Sequence, residues 1–129
     1  DESAKMYDRY DAIFQLRDRA SATEAIACLT KCLQTSGSAL LKHEVAFVLG
    51  QLQNKEATSI LVDILGDAKE HCMVRHEAAE ALGSVAEGGD ASAVAILESF
   101  CEDPDLAVAQ SCQVALDMMR NDGFEYCEV

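Results

Sequence analysis

The feature that most constrains the fold is a nine-residue motif that occurs twice, 33 residues apart, at 42–50 and 75–83. Both copies read basic, His, Glu, a small or β-branched residue, Ala, two variable residues, Leu and Gly. Fainter copies run from Arg9 to Leu16 and from Val108 to Leu116, at offsets of 33 and 34 residues. A period of this length indicates a chain built from copies of one small structural unit, in which neighbouring copies bury each other's apolar faces.

The copies are predicted to be helices. Apolar residues recur every three or four positions through nearly every segment, and no segment alternates apolar and polar residues as a half-buried strand does. Breakers and capping residues divide the chain at 35–38, Asn54, 66–67, 88–90 and 103–105, with a softer break at 19–21. The sequence therefore predicts an all-α protein with seven helices, at about 4–18, 22–34, 38–52, 55–65, 71–87, 91–102 and 105–120.

The order of these helices predicts a HEAT-like α-solenoid. Four helices carry the motif, and three others lie between them around 25–33, 57–65 and 93–101. Residues 1–129 then form a single domain of three to four helical-hairpin repeats. The first motif helix has no helix before it and the chain does not begin with Met, so we expect it to be part of a longer protein.

The charge of the chain restricts its partners. Ten Lys and Arg against 23 Asp and Glu give a formal net charge of −13, which argues against nucleic acid or an anionic membrane as a partner and favours a cationic one. The sequence has no apolar run long enough to span a bilayer and does not begin like a signal peptide. A cytoplasmic protein is therefore expected.

The two strong copies of the motif each place a histidine before a glutamate, as His43–Glu44 and His76–Glu77. Equivalent positions of successive repeats line up on one surface of a solenoid, and packed helices lie roughly 8–10 Å apart. Both imidazoles and at least one carboxylate can therefore converge on one metal ion. Two histidines and a carboxylate form the ligand set that leaves open positions on ferrous iron, whereas a structural zinc site normally recruits thiolates.

The remaining polar positions are weaker candidates. The outer copies carry Tyr10–Asp11 and Gln110–Ser111 in the places of the His-Glu pairs, which confines the predicted ligands to the two central repeats. Glu80 lies one turn beyond His76 and could be a spare ligand or an acceptor, but Phe47 at the matching position favours a structural role. His71 has no equivalent in the other copies and is expected to be exposed to solvent.

The motif segments resemble one known family. The stretches 42–52, 73–83 and 111–118, with support from 7–16 and 123–126, look like the C-terminal half of deoxyhypusine hydroxylase. The likeness runs from about Asp1 to Tyr126. One departure is Ala109–Gln110, which stands where the family tends to carry charged residues.

The resemblance implies a HEAT-repeat monooxygenase that hydroxylates a deoxyhypusine side chain on a translation factor to form hypusine, with dioxygen as co-substrate. It implies two Fe(2+) per complete enzyme, held by two facing halves, of which this chain would supply one. His43, His76 and Glu77 would then bind one iron, and Glu44 would be a catalytic residue that contacts substrate amines. The complementary N-terminal half would be a required partner, so the isolated half should be inactive.

Two other interpretations of the sequence stay open. A metal-independent HEAT-repeat scaffold could bind a basic protein through its acidic ridges, with the His-Glu pairs as ordinary recognition residues. A helical-repeat lyase subunit acting on a chromophore is a third possibility, which only analogy between folds supports.

Overall fold

The structure, a computed structural model, describes residues 2–85 and 90–121, and within these ranges the regular elements are all helical. The α-helices, numbered in chain order, are α1 Met6–Arg19, α2 Ala22–Thr35, α3 Ala39–Leu52, α4 Thr58–Gly66, α5 Cys72–Val85, α6 Ala91–Ser99 and α7 Leu106–Asn121. None of these helices is long and apolar enough to cross a lipid bilayer. The all-α prediction with seven helices is confirmed, and the segment 123–126 lies outside the described residues.

Several helix ends differ from the prediction. A 3-10 turn, Lys55–Ala57, occupies the predicted start of α4, because the Asn54 side chain accepts a hydrogen bond from the Glu56 N–H at 2.9 Å and holds a tighter first turn. α6 ends at Ser99 rather than near 102, since the next two N–H groups bond three residues back instead of four. The predicted end of α5 at 86–87 lies outside the described residues.

The helices form two layers. The motif helices α1, α3, α5 and α7 lie side by side, with α5 packed against both α3 and α7, while α2, α4 and α6 form the second layer. Between the layers lies a continuous apolar core whose largest fully buried side chains include Leu29, Leu49, Leu61, Leu82 and Leu97. Each layer buries the apolar stripe of the other, so the predicted solenoid of helical hairpins is confirmed.

Two glycines set the spacing of the motif layer. A Cβ built on Gly50 of α3 would lie 3.1 Å from the Cβ of Ala81, and one built on Gly83 of α5 would lie 3.0 Å from the Cα of Ala115. Both glycines end the repeated motif and face the next motif helix. The missing side chain lets neighbouring backbones approach closely, which brings the functional faces of α3, α5 and α7 together.

The basic residue of each strong motif copy joins one repeat to the next. Lys42 Nζ lies 2.9 Å from Glu70 Oε2, and Arg75 Nη2 lies 2.8 Å from Asp103 Oδ2. Both pairs span 28 residues, and both acidic partners lie in the loop before the following motif helix. Arg75 also donates from Nε to the Leu65 carbonyl at 3.0 Å. The basic residue of the motif, which directly precedes each histidine, therefore links neighbouring repeats.

Candidate metal centre

Both motif histidines meet at one carboxylate. His43 Nε2 of α3 lies 3.0 Å from Glu77 Oε1 of α5, and His76 Nε2 lies 4.0 Å from the same oxygen. Glu77 is buried, with 9% of its surface exposed, whereas the two imidazoles are half-buried at the rim. The structure thus brings together the three residues that the sequence predicted as ligands.

Glu80 joins this group from the next turn of α5. Its Oε1 lies 3.7 Å from His76 Nδ1, and one donor atom each from His76, Glu77 and Glu80 fall within 4.8 Å of one another. Among the described residues this is the set of three that could hold a metal ion, and it contains Glu80 in place of His43. The sequence left Glu80 open as a spare ligand, an acceptor or a structural residue, and the structure places its carboxylate beside the His76 imidazole.

Glu44 lies at the edge of the centre rather than inside it. Its Oε2 is 3.9 Å from His43 Nδ1, a buried nitrogen with which no described residue forms a hydrogen bond. On its other side stands Tyr10, whose hydroxyl donates to the Leu40 carbonyl at 3.1 Å. Burial, and secondly the negative charge of Glu44, raise the pKa of Tyr10. Glu44 itself is a partly exposed carboxylate next to His43.

The centre holds two carboxylates close together, those of Glu77 and Glu80. Burial, and secondly the nearby Glu80 carboxylate, raise the pKa of Glu77, although His43 and His76 act in the opposite direction. Two carboxylates held this close repel each other in a partly dehydrated place, and a bound cation would remove that repulsion. The electrostatics and the N and O donors both suit a divalent metal ion.

One contact pattern repeats across the motif helices. In each case the residue at the histidine position of one helix faces the residue at the glutamate position of the next helix, with a separation of 34 or 35 residues. The pairs are Tyr10 with Glu44, His43 with Glu77, and His76 with Ser111. The pattern therefore runs diagonally from each copy into the following one.

The last of these contacts was missed by sequence reasoning. Ser111 of α7 is buried, with 5% of its surface exposed, and its hydroxyl forms a hydrogen bond with His76 Nδ1. The sequence excluded the outer copies from the site because they lack a His-Glu pair. The available signal was that Ser111 occupies the position of Glu44 and Glu77 in its own copy.

A groove adjoins the centre between α3 and α5. Its volume is about 380 Å³, and its lining includes Phe47, Gln51, Glu77, Glu80 and Ser84. Two of the site carboxylates thus form one wall, and an aromatic ring lies among the other lining side chains. A cationic side chain of extended shape would fit this combination of charge and apolar surface.

His71 plays a local structural role. It is exposed, as predicted, and its Nδ1 accepts a hydrogen bond from the Met73 N–H at 3.1 Å in the first turn of α5. The imidazole therefore takes the place of a Ser or Asp cap at the start of this helix.

Comparison with known proteins identifies the class of this fold. The family model described as HEAT repeats matches residues 26–117, and the chain belongs to the HEAT-repeat family. Its relatives carry a more particular name, deoxyhypusine hydroxylase. The chain is 51% identical to deoxyhypusine hydroxylase-B of Oryza sativa subsp. japonica over 92% of its own length and 38% of that protein.

Two further comparisons agree. The chain is 43% identical to the deoxyhypusine hydroxylase of Homo sapiens over 99% of its own length and 42% of that protein. The solved structure of human deoxyhypusine hydroxylase in complex with glycerol matches with a TM-score of 0.85 and 44% identity, over 94% of this chain and 40% of that one. The resemblance predicted from the motifs is confirmed, and the chain spans about two fifths of the length of these relatives.

Proposed function

We propose that this chain is one half of a deoxyhypusine monooxygenase and that it holds one of the two ferrous ions of the complete enzyme. The observation that carries the proposal is the convergence of His43 and His76, from neighbouring repeats, on the single carboxylate oxygen of Glu77. The relatives named deoxyhypusine hydroxylase support the reaction class, because they match nearly the whole chain at 43–51% identity.

The residues present fit a ferrous ion. Two imidazoles and one or two carboxylates offer nitrogen and oxygen donors within a small, negatively charged site, which is the donor chemistry of non-haem iron. In this proposal His43, His76 and Glu77 hold the metal, and Glu80 is the spare carboxylate. The bound iron would supply the activation of dioxygen that hydroxylation of an unactivated C–H bond requires.

The protein's own residues then bind and orient the substrate. The deoxyhypusine side chain is a cationic amine, and the carboxylates around the groove attract and align it. Glu44 stands beside His43 with an exposed edge, and we assign it the contact with a substrate amine. The partners in this proposal are a cytoplasmic translation factor carrying deoxyhypusine and the complementary N-terminal half.

Iron binding by variants tests the ligand assignment. In anaerobic titration with ferrous iron, the wild-type chain is expected to bind one ion, and His43→Ala, His76→Ala or Glu77→Gln to bind none tightly while the helical circular dichroism persists. His71→Ala is the matched histidine control, because this imidazole caps the first turn of α5, where its ring contacts Met73 and Cys72. Absence of iron from the wild type, even with the complementary half present, would refute the proposal.

Complementation tests the assignment of Glu44. Mixed with the complementary half, the wild-type chain should yield hydroxylated product, and Glu44→Gln should retain iron but lose product by a factor of ten or more. Binding of the substrate protein that is equally tight in iron-free His43→Ala, together with no product from any mixture, would instead favour the metal-independent scaffold.

A further inference from the structure

Ser111 forms a hydrogen bond with a ring nitrogen of His76, one of the proposed metal ligands. It projects from α7, has only 5% of its surface exposed, and places its hydroxyl in hydrogen-bond contact with His76 Nδ1. It comes from the repeat without a His-Glu pair, and no role for it follows from the proposed function. A buried hydroxyl in contact with an imidazole is a means of fixing the tautomer and rotation of that ring.

The surroundings of the ring indicate which nitrogen carries the proton. On the Nδ1 side lie two oxygens, the Ser111 hydroxyl and Glu80 Oε1 at 3.7 Å. On the Nε2 side lies Glu77 Oε1 at 4.0 Å, which His43 Nε2 already contacts at 3.0 Å. A proton on Nδ1 therefore has an acceptor in hydrogen-bond contact, the buried Ser111 hydroxyl, whereas a proton on Nε2 would face Glu77 Oε1 at 4.0 Å, beyond hydrogen-bond distance.

We propose that Ser111 is a positioning residue that accepts a hydrogen bond from His76 Nδ1 and so presents the unprotonated Nε2 toward Glu77. This inference rests on the proposed function for its purpose, which is to prepare His76 as a metal ligand. It also distinguishes two candidate ligand sets, one in which His43 joins His76 and Glu77 and one in which Glu80 takes the place of His43. With Nδ1 engaged by Ser111, His76 would hold a metal through Nε2, the nitrogen nearer Glu77, and Glu80, which lies nearer Nδ1, would not be a ligand.

The tautomer can be measured in the metal-free protein. The ¹⁵N chemical shifts of His76, recorded where the imidazole is neutral, should report a proton mainly on Nδ1 in the wild type. Ser111→Val should shift the population toward Nε2–H, and Ser111→Thr should restore it, because these two side chains have similar shape and only threonine has the hydroxyl. A wild-type proton mainly on Nε2, or equal populations in the Val and Thr variants, would overturn the inference.

Metal affinity gives the second readout. Loss of a hydrogen-bond partner behind a metal-ligating histidine typically weakens metal binding by roughly 10- to 100-fold. We expect that loss for ferrous iron in Ser111→Ala and Ser111→Val, and an affinity within about threefold of wild type in Ser111→Thr. Ser99→Ala is the matched control, since the Ser99 hydroxyl bonds only to the Ala95 carbonyl of its own helix among the contacts described.

The outcomes separate this inference from the proposed function. If the wild type binds iron and all Ser111 variants bind it equally well, the role of Ser111 is wrong and the proposed function stands. If the wild type binds no iron even with the complementary half present, the proposed function is wrong, and the ¹⁵N shifts alone decide whether Ser111 sets the His76 tautomer.

Discussion

At the scale of single residues, the buried pair of Arg75 and Asp103 is the main polar anchor next to the site. Arg75 directly precedes His76, and the two charged side chains are only 7% and 6% exposed. The guanidinium also lies over the Phe100 ring, with Cζ 5.1 Å from its centroid. Losing either charge would leave the other one buried without its partner, which is costly in a place that excludes water.

This pair predicts an acid-dependent loss of stability. Desolvation alone would raise the pKa of Asp103, but hydrogen bonds from Arg75 and from the Asp105 N–H, with the charge of Arg75, lower it overall. A lowered folded-state pKa contributes stability that is fully present above the unfolded value of about 4 and is lost as the pH falls through the folded value. Asp103→Asn should therefore lower the free energy of unfolding by about 1–3 kcal/mol at neutral pH, and the difference from wild type should shrink in acid.

Urea unfolding followed by circular dichroism at several pH values measures this difference. The control is Asp18→Asn, which breaks an exposed pair whose Asp18 side chain is 59% exposed and should leave the free energy of unfolding nearly unchanged. A gap between Asp103→Asn and wild type that stays constant from neutral pH into strong acid would contradict the assignment.

At the residue scale, only those site residues whose identities repeat could be predicted from the sequence. His43, His76 and the glutamate after each were singled out because the His-Glu pair repeats at the period of the fold, and the family resemblance then selected Glu77 as a proposed ligand. Ser111 and Glu80 do not repeat, and their roles depend on side-chain contacts that only the packing of α5 against α7 and the turn of α5 create. Repetition points to the proposed ligands, but it does not point to the groups that contact them.

At the scale of elements, the glycines decide how neighbouring motif helices meet. The diagonal contact from each histidine position to the next helix needs a particular separation and stagger of α3, α5 and α7. Gly83 has its closest neighbours in the backbone and Cβ of Ala115, which cannot rotate away as a long side chain could. A methyl group at this position would have to push α5 and α7 apart.

Gly83→Ala is therefore expected to destabilise the protein, although alanine is the better helix former by about 1 kcal/mol. Overpacking against a rigid neighbour typically costs about 1–3 kcal/mol, so we expect a net loss of about 1 kcal/mol in urea unfolding and a weaker contact between His76 and Ser111. Gly37→Ala is the control, because a Cβ there meets nothing within 4 Å. A Gly83→Ala protein more stable than wild type would disprove the close-packing argument.

The helices and their order could be predicted from the sequence, but some helix ends and the contacts between repeats could not. The seven helices and their order followed from apolar periodicity and capping residues, because these are local properties. The 3-10 turn before α4 and the early end of α6 did not follow, since in both places the backbone N–H groups bond three residues back instead of four, which apolar periodicity does not reveal. The pairing of Lys42 with Glu70 and Arg75 with Asp103 was also missed, although both pairs share a spacing of 28 residues.

At the scale of the whole molecule, a solenoid is stabilised repeat by repeat. Each helix contacts its neighbours in sequence and those in the adjacent repeat, so the stability of a segment depends on how many sides are covered. α5 is covered by α3, α4 and α7 and buries eight of its 14 residues, whereas α1 buries only Ile13. The centre that holds the histidines thus lies in the best-packed part of the described chain.

Hydrogen exchange of backbone amides should follow this gradient, slowest in α5 and fastest in α1. Leu82→Ala, which empties a fully buried position of α5, should cost about 3 kcal/mol and speed exchange in α3, α5 and α7 together. Ile13→Ala should speed exchange mainly in α1, because few contacts pass from that helix into the rest of the solenoid. If Ile13→Ala instead accelerated every helix equally, the chain would unfold as one unit, and the site would share its stability with the terminal repeat.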